Sequence, residues 1–300
     1  MNDLKYVNSQ LKVVLSVQQG FPALVNSDEN VHKSFYKQSI SFLREYGFDG
    51  IDLDWEFPPA SAKVKYSNFL VGFRKAIMNE SQSWQRTPLL LTAALPNSKS
   101  KINNYNMTVL ANTLDFATAM TYDFHMFIKN VDTVTSFNSA LYPIKGENQL
   151  YSVSGLIDYY LEQGFPASKL LFGVPTYGRT FLLEDPDKHG VHASAVCRGD
   201  GGPILHKKGV YSYGESCLAL KNGATRIWDE NCAVPYLYKD KLWCTYEDEE
   251  SARRKALYFV NKLAGAGVWT LTLDDPRGIN GKKFPIINAI KNVFKASVQP

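Results

Sequence analysis

Short apolar runs recur along the chain, each bounded by glycine or polar residues. They are Lys12–Val17, Gly50–Leu53, Leu89–Ala94, Phe116–Met120, Leu170–Val174 and Gly267–Leu273. All are short and rich in leucine or β-branched residues, as strands buried on both faces are. Between them the apolar positions return at helical spacing. Val31–Tyr46 predicts a helix with Asp28 and Asn30 as cap candidates and Gly47 as its stop. Tyr66–Met78 puts Phe69, Phe73, Ala76 and Ile77 on one face. Leu156–Gln163 ends at Gly164, and Glu249–Leu263 ends at Gly265. Strand and helix in alternation predict a parallel β/α architecture, either an open sheet or a barrel.

The rhythm stops between residues 182 and 245, where glycines cluster and Val234–Trp243 reads as a hairpin turning near Lys239-Asp240. This segment is expected to be a small, mainly β insertion. It also holds all four cysteines, Cys197, Cys217, Cys232 and Cys244. They lack the C-x-x-C spacing of a zinc finger, so an even count in one segment predicts two disulfides. Four cysteines allow three pairings. The hairpin should bring Cys232 to Cys244, which leaves Cys197 for Cys217.

Composition is ordinary for a globular chain: 300 residues, 45% hydrophobic and 21% charged. That length suits one large domain, two small ones, or an α/β barrel of about 250 residues with an insertion. The net charge of +4 comes from basic clusters scattered at Lys207-Lys208, Arg253-Arg254-Lys255 and Lys282-Lys283. A nucleic-acid partner would call for one concentrated stripe. No run approaches the roughly 18 apolar residues that cross a membrane. Met1–Tyr6 lacks the apolar stretch of a signal peptide. Two sequons, Asn79-Glu80-Ser81 and Asn106-Met107-Thr108, lend weak support to secretion.

The most informative segment is Phe48-Asp49-Gly50-Ile51-Asp52-Leu53-Asp54-Trp55-Glu56. Residues two apart on a strand share a face, so Asp52, Asp54 and Glu56 should point one way, roughly 7 Å apart. Ile51, Leu53 and Trp55 should point the other way, toward covering helices. Like charge and desolvation push some of these carboxyl pKa values up, which is how an enzyme keeps an acid protonated near neutral pH. A calcium site would want its acids on a flexible loop, and the interleaved Ile51, Leu53 and Trp55 argue against one. A solvated edge strand would not be flanked by Phe48 and Phe57. Catalysis is the reading that remains.

Asp49–Glu56 resembles the D-G-x-D-x-D-W-E signature of family 18 glycoside hydrolases, the chitinases and chitinase-like lectins. Other segments resemble family strands in the same order: Met120-Thr121-Tyr122-Asp123-Phe124-His125, Gly173-Val174-Pro175-Thr176-Tyr177-Gly178-Arg179, and Val268-Trp269-Thr270-Leu271-Thr272-Leu273-Asp274-Asp275. The resemblance implies a secreted, extracellular, monomeric chitinase that cuts β-1,4 N-acetylglucosamine linkages of chitin or chitooligosaccharides, with no cofactor and no metal. Glu56 would protonate the glycosidic oxygen. Asp54 would hold the substrate's N-acetyl group and share a proton with Asp52, and Tyr122 would bond the acetamido oxygen. Asp123 and Arg179 would contact sugar hydroxyls, Met120 and Tyr177 would form walls, and Trp269 would floor the cleaved sugar's subsite. The sugar's own N-acetyl oxygen would be the nucleophile, so no second protein carboxylate attacks. Asp49 and Gly50 are expected to be structural.

The implied fold is a (β/α)8-type TIM barrel lacking its first two strands. Residues 1–181 and 246–300 would form the barrel, and 182–245 an inserted α+β subdomain. An unclosed barrel would leave the edge of Leu11–Val17 exposed and prone to aggregation. Several substrate positions also differ from the family pattern. Its S-I-G-G-W reads Ser16-Val17-Gln18-Gln19-Gly20 here, and its later G-S-W is Met126-Phe127-Ile128. Thr272 replaces an aspartate, and a cysteine that usually pairs with the one matching Cys217 is replaced near Asn280. The alternatives are a chitin-binding lectin, whose relatives commonly lose the acid that is Glu56 here, or an inactive fragment. His125 is expected to be hydrogen-bonded or packed rather than catalytic.

Overall fold

The structure, a computed structural model, describes residues 2–298. Met1, Gln299 and Pro300, at the ends of the two expected barrel stretches, lie outside the described residues. The chain forms two compact units, one running to Ala119 and including Tyr160–Leu170, the other comprising Met120–Tyr159 and the chain from Leu171.

The first unit carries four parallel strands in the order β1 (Val14–Val17), β2 (Gly50–Leu53), β3 (Leu90–Leu95) and β4 (Phe116–Ala119). Helix α1 (Phe21–Asn26) and helix α2 (Glu29–Glu45) lead from β1 to β2, and α3 (Lys63–Ser83) leads from β2 to β3. Two shorter helices, α4 (Lys99–Ile102) and α5 (Met107–Thr113), precede β4. Asp28 opens α2 by accepting from the Asn30 and Val31 backbone N–H groups, and the chain turns out of α2 at Gly47, φ 70°. One face of β2 packs its Ile51 and Leu53 beneath the helices, where Leu43, Phe69, Phe73 and Ile77 are fully buried. Trp55 continues that face, stacked on Phe21 at 5.4 Å and edge-on to Tyr66 at 5.3 Å. Gly50 has no alternative residue, because a Cβ there would stand 2.4 Å from the Leu90 carbonyl oxygen.

The second unit holds a parallel pair, β5 (Leu170–Pro175) with β12 (Gly265–Trp269), and a separate antiparallel sheet. That sheet is made of β6 (Tyr177–Leu183), β7 (Ala195–Arg198), β8 (Val210–Ser212), β9 (Thr225–Asp229), β10 (Val234–Lys239) and β11 (Leu242–Thr245), in the order β7-β6-β11-β10-β9 with β8 on β6. Phe137, Phe181, Val234, Tyr236 and Trp243 form its core. Its helices are α6 (Val153–Glu162), α7 (Tyr213–Lys221), α8 (Glu249–Phe259) and α9 (Pro285–Val298). Reciprocal capping boxes at Ser212/Glu215 and Asp248/Ser251 open α7 and α8. Asp274 takes the backbone N–H groups of Ile286 and Ile287 at the start of α9. Lys255 and Glu247 form a fully buried ion pair, and Lys255 also donates to Ser139. Burial pushes the Glu247 carboxyl up and the Lys255 amine down, each opposed by its partner.

Three expectations need correction. The run Gly267–Leu273 does not remain a strand: β12 ends at Trp269 and Leu271–Leu273 is a 3₁₀ turn. Thr176 holds the bend, accepting from the Thr270 N–H and donating its hydroxyl to the Thr270 carbonyl. The hairpin turns one residue later than expected, at Asp240-Lys241, where Asp240 adopts φ 48°. That register undoes the expected disulfides. Cys244 faces Leu237 across the hairpin, whereas Cys232 lies before β10 begins. Cys232 sits in the turn that precedes β10, next to Ala233 at φ 51°, and is not on the strand that faces Cys244. Cys217 is buried in α7, and Cys197 lies exposed on β7 opposite Leu182. All four are free thiols. Thiol titration of the unfolded, unreduced protein should therefore count four groups per chain; a count of zero or two would overturn this arrangement.

Candidate active site

The acids of the first unit are set by sheet register. In-register neighbours on adjacent parallel strands direct their side chains to the same face. Ser16 of β1 pairs with Asp52 of β2, which pairs in turn with Thr92 of β3. Both hydroxyls donate to the Asp52 carboxyl, Ser16 at 3.0 Å and Thr92 at 2.7 Å. Burial pushes the Asp52 pKa up; these two hydrogen bonds oppose the rise, and the Asp54 charge adds to it. Asp54 follows the end of β2, its N–H still donating to the Val17 carbonyl at 2.9 Å. Its side chain is 6% exposed; Oδ2 accepts from the Gln18 amide at 2.7 Å, and Oδ1 is buried without a partner. No hydrogen bond joins Asp52 to Asp54 among the described residues. Glu56, two residues on, is exposed. At the other end of the segment, Asp49 accepts the Val13 N–H at 2.6 Å and pairs with Lys5. Burial pushes its carboxyl up, but Lys5, the Val13 N–H and Lys12 outweigh that and hold it low.

The second unit assembles a different group. Asp123 sits in the left-handed region, φ 58°, with Oδ1 accepting from the Tyr177 hydroxyl at 2.8 Å and Arg179 Nε at 2.7 Å. Buried Asn138 fixes that backbone. Its Oδ1 accepts the Asp123 N–H, its carbonyl accepts the Phe124 N–H, and its Nδ2 donates to the Tyr177 carbonyl. Tyr122 meets Tyr177 edge-on at 6.1 Å, in a cluster joined by Val210, Met120, Leu205 and Leu273. Burial, and then the Asp123 charge, push the Tyr177 hydroxyl well above its usual range, so it stays a hydrogen-bond donor. Trp269, 50% exposed at the end of β12, offers an open aromatic face.

Residues 1–274 match the sequence profile of glycosyl hydrolases family 18. The chain belongs to this family. It is 38% identical to chitotriosidase-1 of Mus musculus over 309 residues, covering 97% of this chain and 65% of that protein. It therefore spans less than two thirds of that relative's length. An active chitinase from Trichuris suis superposes with a TM-score of 0.92 at 32% identity, covering 97% of this chain and 83% of that one. Human YKL-39, described as a pseudo-chitinase that retains chitooligosaccharide binding, gives 0.92 at 30% identity, covering 98% and 83%. The fold is accordingly the TIM-barrel type of family 18, with six parallel strands among the described residues. The neighbours include both a catalyst and a binder, so membership makes this chain a chitinase or a chitinase-like protein.

Within this family 18 chain, Asp52, Asp54 and Glu56 lie along one segment of the first unit, while Tyr122, Asp123, Tyr177 and Arg179 form one hydrogen-bonded and packed group in the second. His125 is hydrogen-bonded to Asp132 at 3.3 Å. His192 contacts Glu147, and His189 stacks on Tyr238. Sequence reasoning did not find Ser16, Thr92 and Gln18 as partners of the acids, having named Ser16 and Gln18 only within a changed family motif, and it missed Asn138. Only strand register could have pointed to the first three, and nothing local marks Asn138, fifteen positions from the residue it holds. A pH test follows from Asp52. A raised carboxyl pKa means that ionisation works against the fold, so its stabilising contribution is complete below the ordinary value of 3.8 and is lost as pH rises through the folded value. Asp52→Asn keeps hydrogen-bonding atoms for both hydroxyls and removes the ionisation. In denaturant melts, wild type should lose stability relative to Asp52→Asn as pH rises above the ordinary value of 3.8; parallel pH curves would refute this.

Proposed function

We propose that this chain is a retaining chitinase that cleaves internal β-1,4 N-acetylglucosamine linkages of chitin or chitooligosaccharides by substrate-assisted catalysis. The observation that carries the reading is Glu56, kept as an acid and exposed at the end of a segment in which Asp54 is buried and Asp52 half-buried. Glu56 donates a proton to the leaving glycosidic oxygen. The anomeric carbon is attacked by the substrate's own acetamido oxygen, and Asp54 holds the acetamido N–H so that this oxygen points at carbon. Asp52, its carboxyl pushed up by burial, lies two residues from Asp54 on the same segment and shares a proton with it. Tyr122 donates to the acetamido oxygen, Asp123 and Arg179 bond sugar hydroxyls, Met120 and Tyr177 wall the sugar, and the exposed Trp269 stacks beneath it. Asp49 and Gly50 anchor the segment.

No cofactor or metal is required by this chemistry, and we expect a monomer working outside the cell. Residues 182–245, which hold most of the antiparallel sheet that β6 begins at Tyr177, serve as an inserted α+β subdomain. One observation favours a second reading, a chitooligosaccharide-binding lectin. Gly20 and Met126-Phe127-Ile128 stand where family tryptophans would give stacking surface, and the loss of stacking weakens long polymers first.

Glu56→Gln separates the two readings. If Glu56 is the general acid, release of fluorophore from a chitotriose conjugate should fall by at least roughly 10²–10⁴-fold, with oligosaccharide affinity close to unchanged. Wild-type turnover in the variant would remove Glu56 from the mechanism, and an inactive wild type that binds chitotriose would select the lectin.

A further inference from the structure

Gln18 stands where the sheet register continues past the end of β1. Val17 pairs with Leu53, and the Asp54 N–H still bonds the Val17 carbonyl, so the next positions, Gln18 and Asp54, are side by side. Like Ser16 and Asp52, they direct their side chains to one face, and Gln18 Nε2 donates to Asp54 Oδ2 at 2.7 Å. Among the described residues this is the Asp54 carboxyl's one hydrogen bond, since Oδ1 is buried with no partner. Asp54 is itself 6% exposed, whereas Gln18 is exposed. The buried carboxyl is thus approached from the open side by a carboxamide N–H. That donor belongs to the same chemical class as the N–H of an acetamido sugar.

We propose that Gln18 is a built-in competitor for Asp54, holding the carboxylate oxygen that an N-acetylated sugar's amide N–H would take. This rests on the proposed role of Asp54 in gripping the acetamido group. Binding then exchanges one amide–carboxylate hydrogen bond for another, and the substrate gains little from this contact. With Gln18 removed, the acetamido N–H becomes the natural partner of a buried carboxylate that has no other, and hydrogen bonds to charged groups are among the stronger ones. The chain after Gln18 gives the side chain a way out. Gln19 and Gly20 are exposed, and Gly20, at φ 86°, has nothing within 4 Å of a Cβ built upon it. Gln18 is therefore a determinant of affinity for N-acetylated sugars and not a structural prop.

The test uses the full chain carrying Glu56→Gln, so that ligand is not consumed, and measures the affinity for N-acetylchitotetraose by calorimetry at pH 7. Adding Gln18→Ala, and separately Gln18→Gly, should tighten binding on the order of 10-fold. The gain should vanish in an Asp54→Ala background. Loss of a merely structural contact would not raise affinity. In the Glu56→Gln chain with Gln18 intact, saturating ligand should move the Gln18 side-chain amide NMR signals to solvent-like positions. Unchanged or weaker binding in both Gln18 variants, with the parent chain binding, overturns this inference and leaves the chitooligosaccharide reading standing. Absence of binding in every variant overturns the parent reading and this inference with it.

Discussion

A parallel register between neighbouring strands is the constraint on which the acidic segment depends. Ser16, Asp52 and Thr92 occupy matched positions on β1, β2 and β3, so two hydroxyls meet one carboxyl on a face that would otherwise desolvate it without compensation. A slip of one residue would swing Asp52 under the helices and expose Ile51 and Leu53 instead. The acids and the apolar core are therefore fixed by the same event. Burial of Ile51, Leu53 and Trp55, the last stacked on Phe21 and edge-on to Tyr66, holds β2 in the register that aims Asp52 and Asp54.

The second unit solves a comparable problem by a different route. Asp123 occupies a backbone region that L-residues avoid, at a cost repaid by surrounding contacts. Asn138 engages its side-chain oxygen, side-chain nitrogen and carbonyl to tie residues 123, 124 and 177 together, and its N–H donates to Thr245. Tyr177 and Arg179 then fix the carboxylate itself. In the first unit the regular ladder of a sheet orients the acid; in the second one buried amide orients it.

Several departures from the family pattern, at Gln18, Gly20 and Met126 to Ile128, fall at positions the resemblance links to sugar, while Asp52, Asp54 and Glu56 are all kept. The free cysteines belong to the same picture. The antiparallel sheet holds Phe181, Tyr236 and Trp243 in a core of its own, without a covalent tie.

The strands and long helices were legible in the sequence because each follows a local rule. Apolar runs of strand length, caps such as Asp28 and a stop such as Gly47 act within a few residues, and the alternation of Asp52, Leu53, Asp54 and Trp55 assigns two faces without reference to anything distant. The signature at Asp49–Glu56 likewise pointed to family 18 before any fold was known. What depended on distant partners was not legible. Cys232 and Cys244 looked ready to pair until the hairpin register moved them apart. The end of β12 was set by Thr176, and Asn138 and Gln18 became important only when folding brought them to Asp123 and Asp54. Periodicity and capping are short-range and leave their mark on neighbouring letters. Register and side-chain hydrogen bonds join residues tens of positions apart, so the tertiary structure alone decided them.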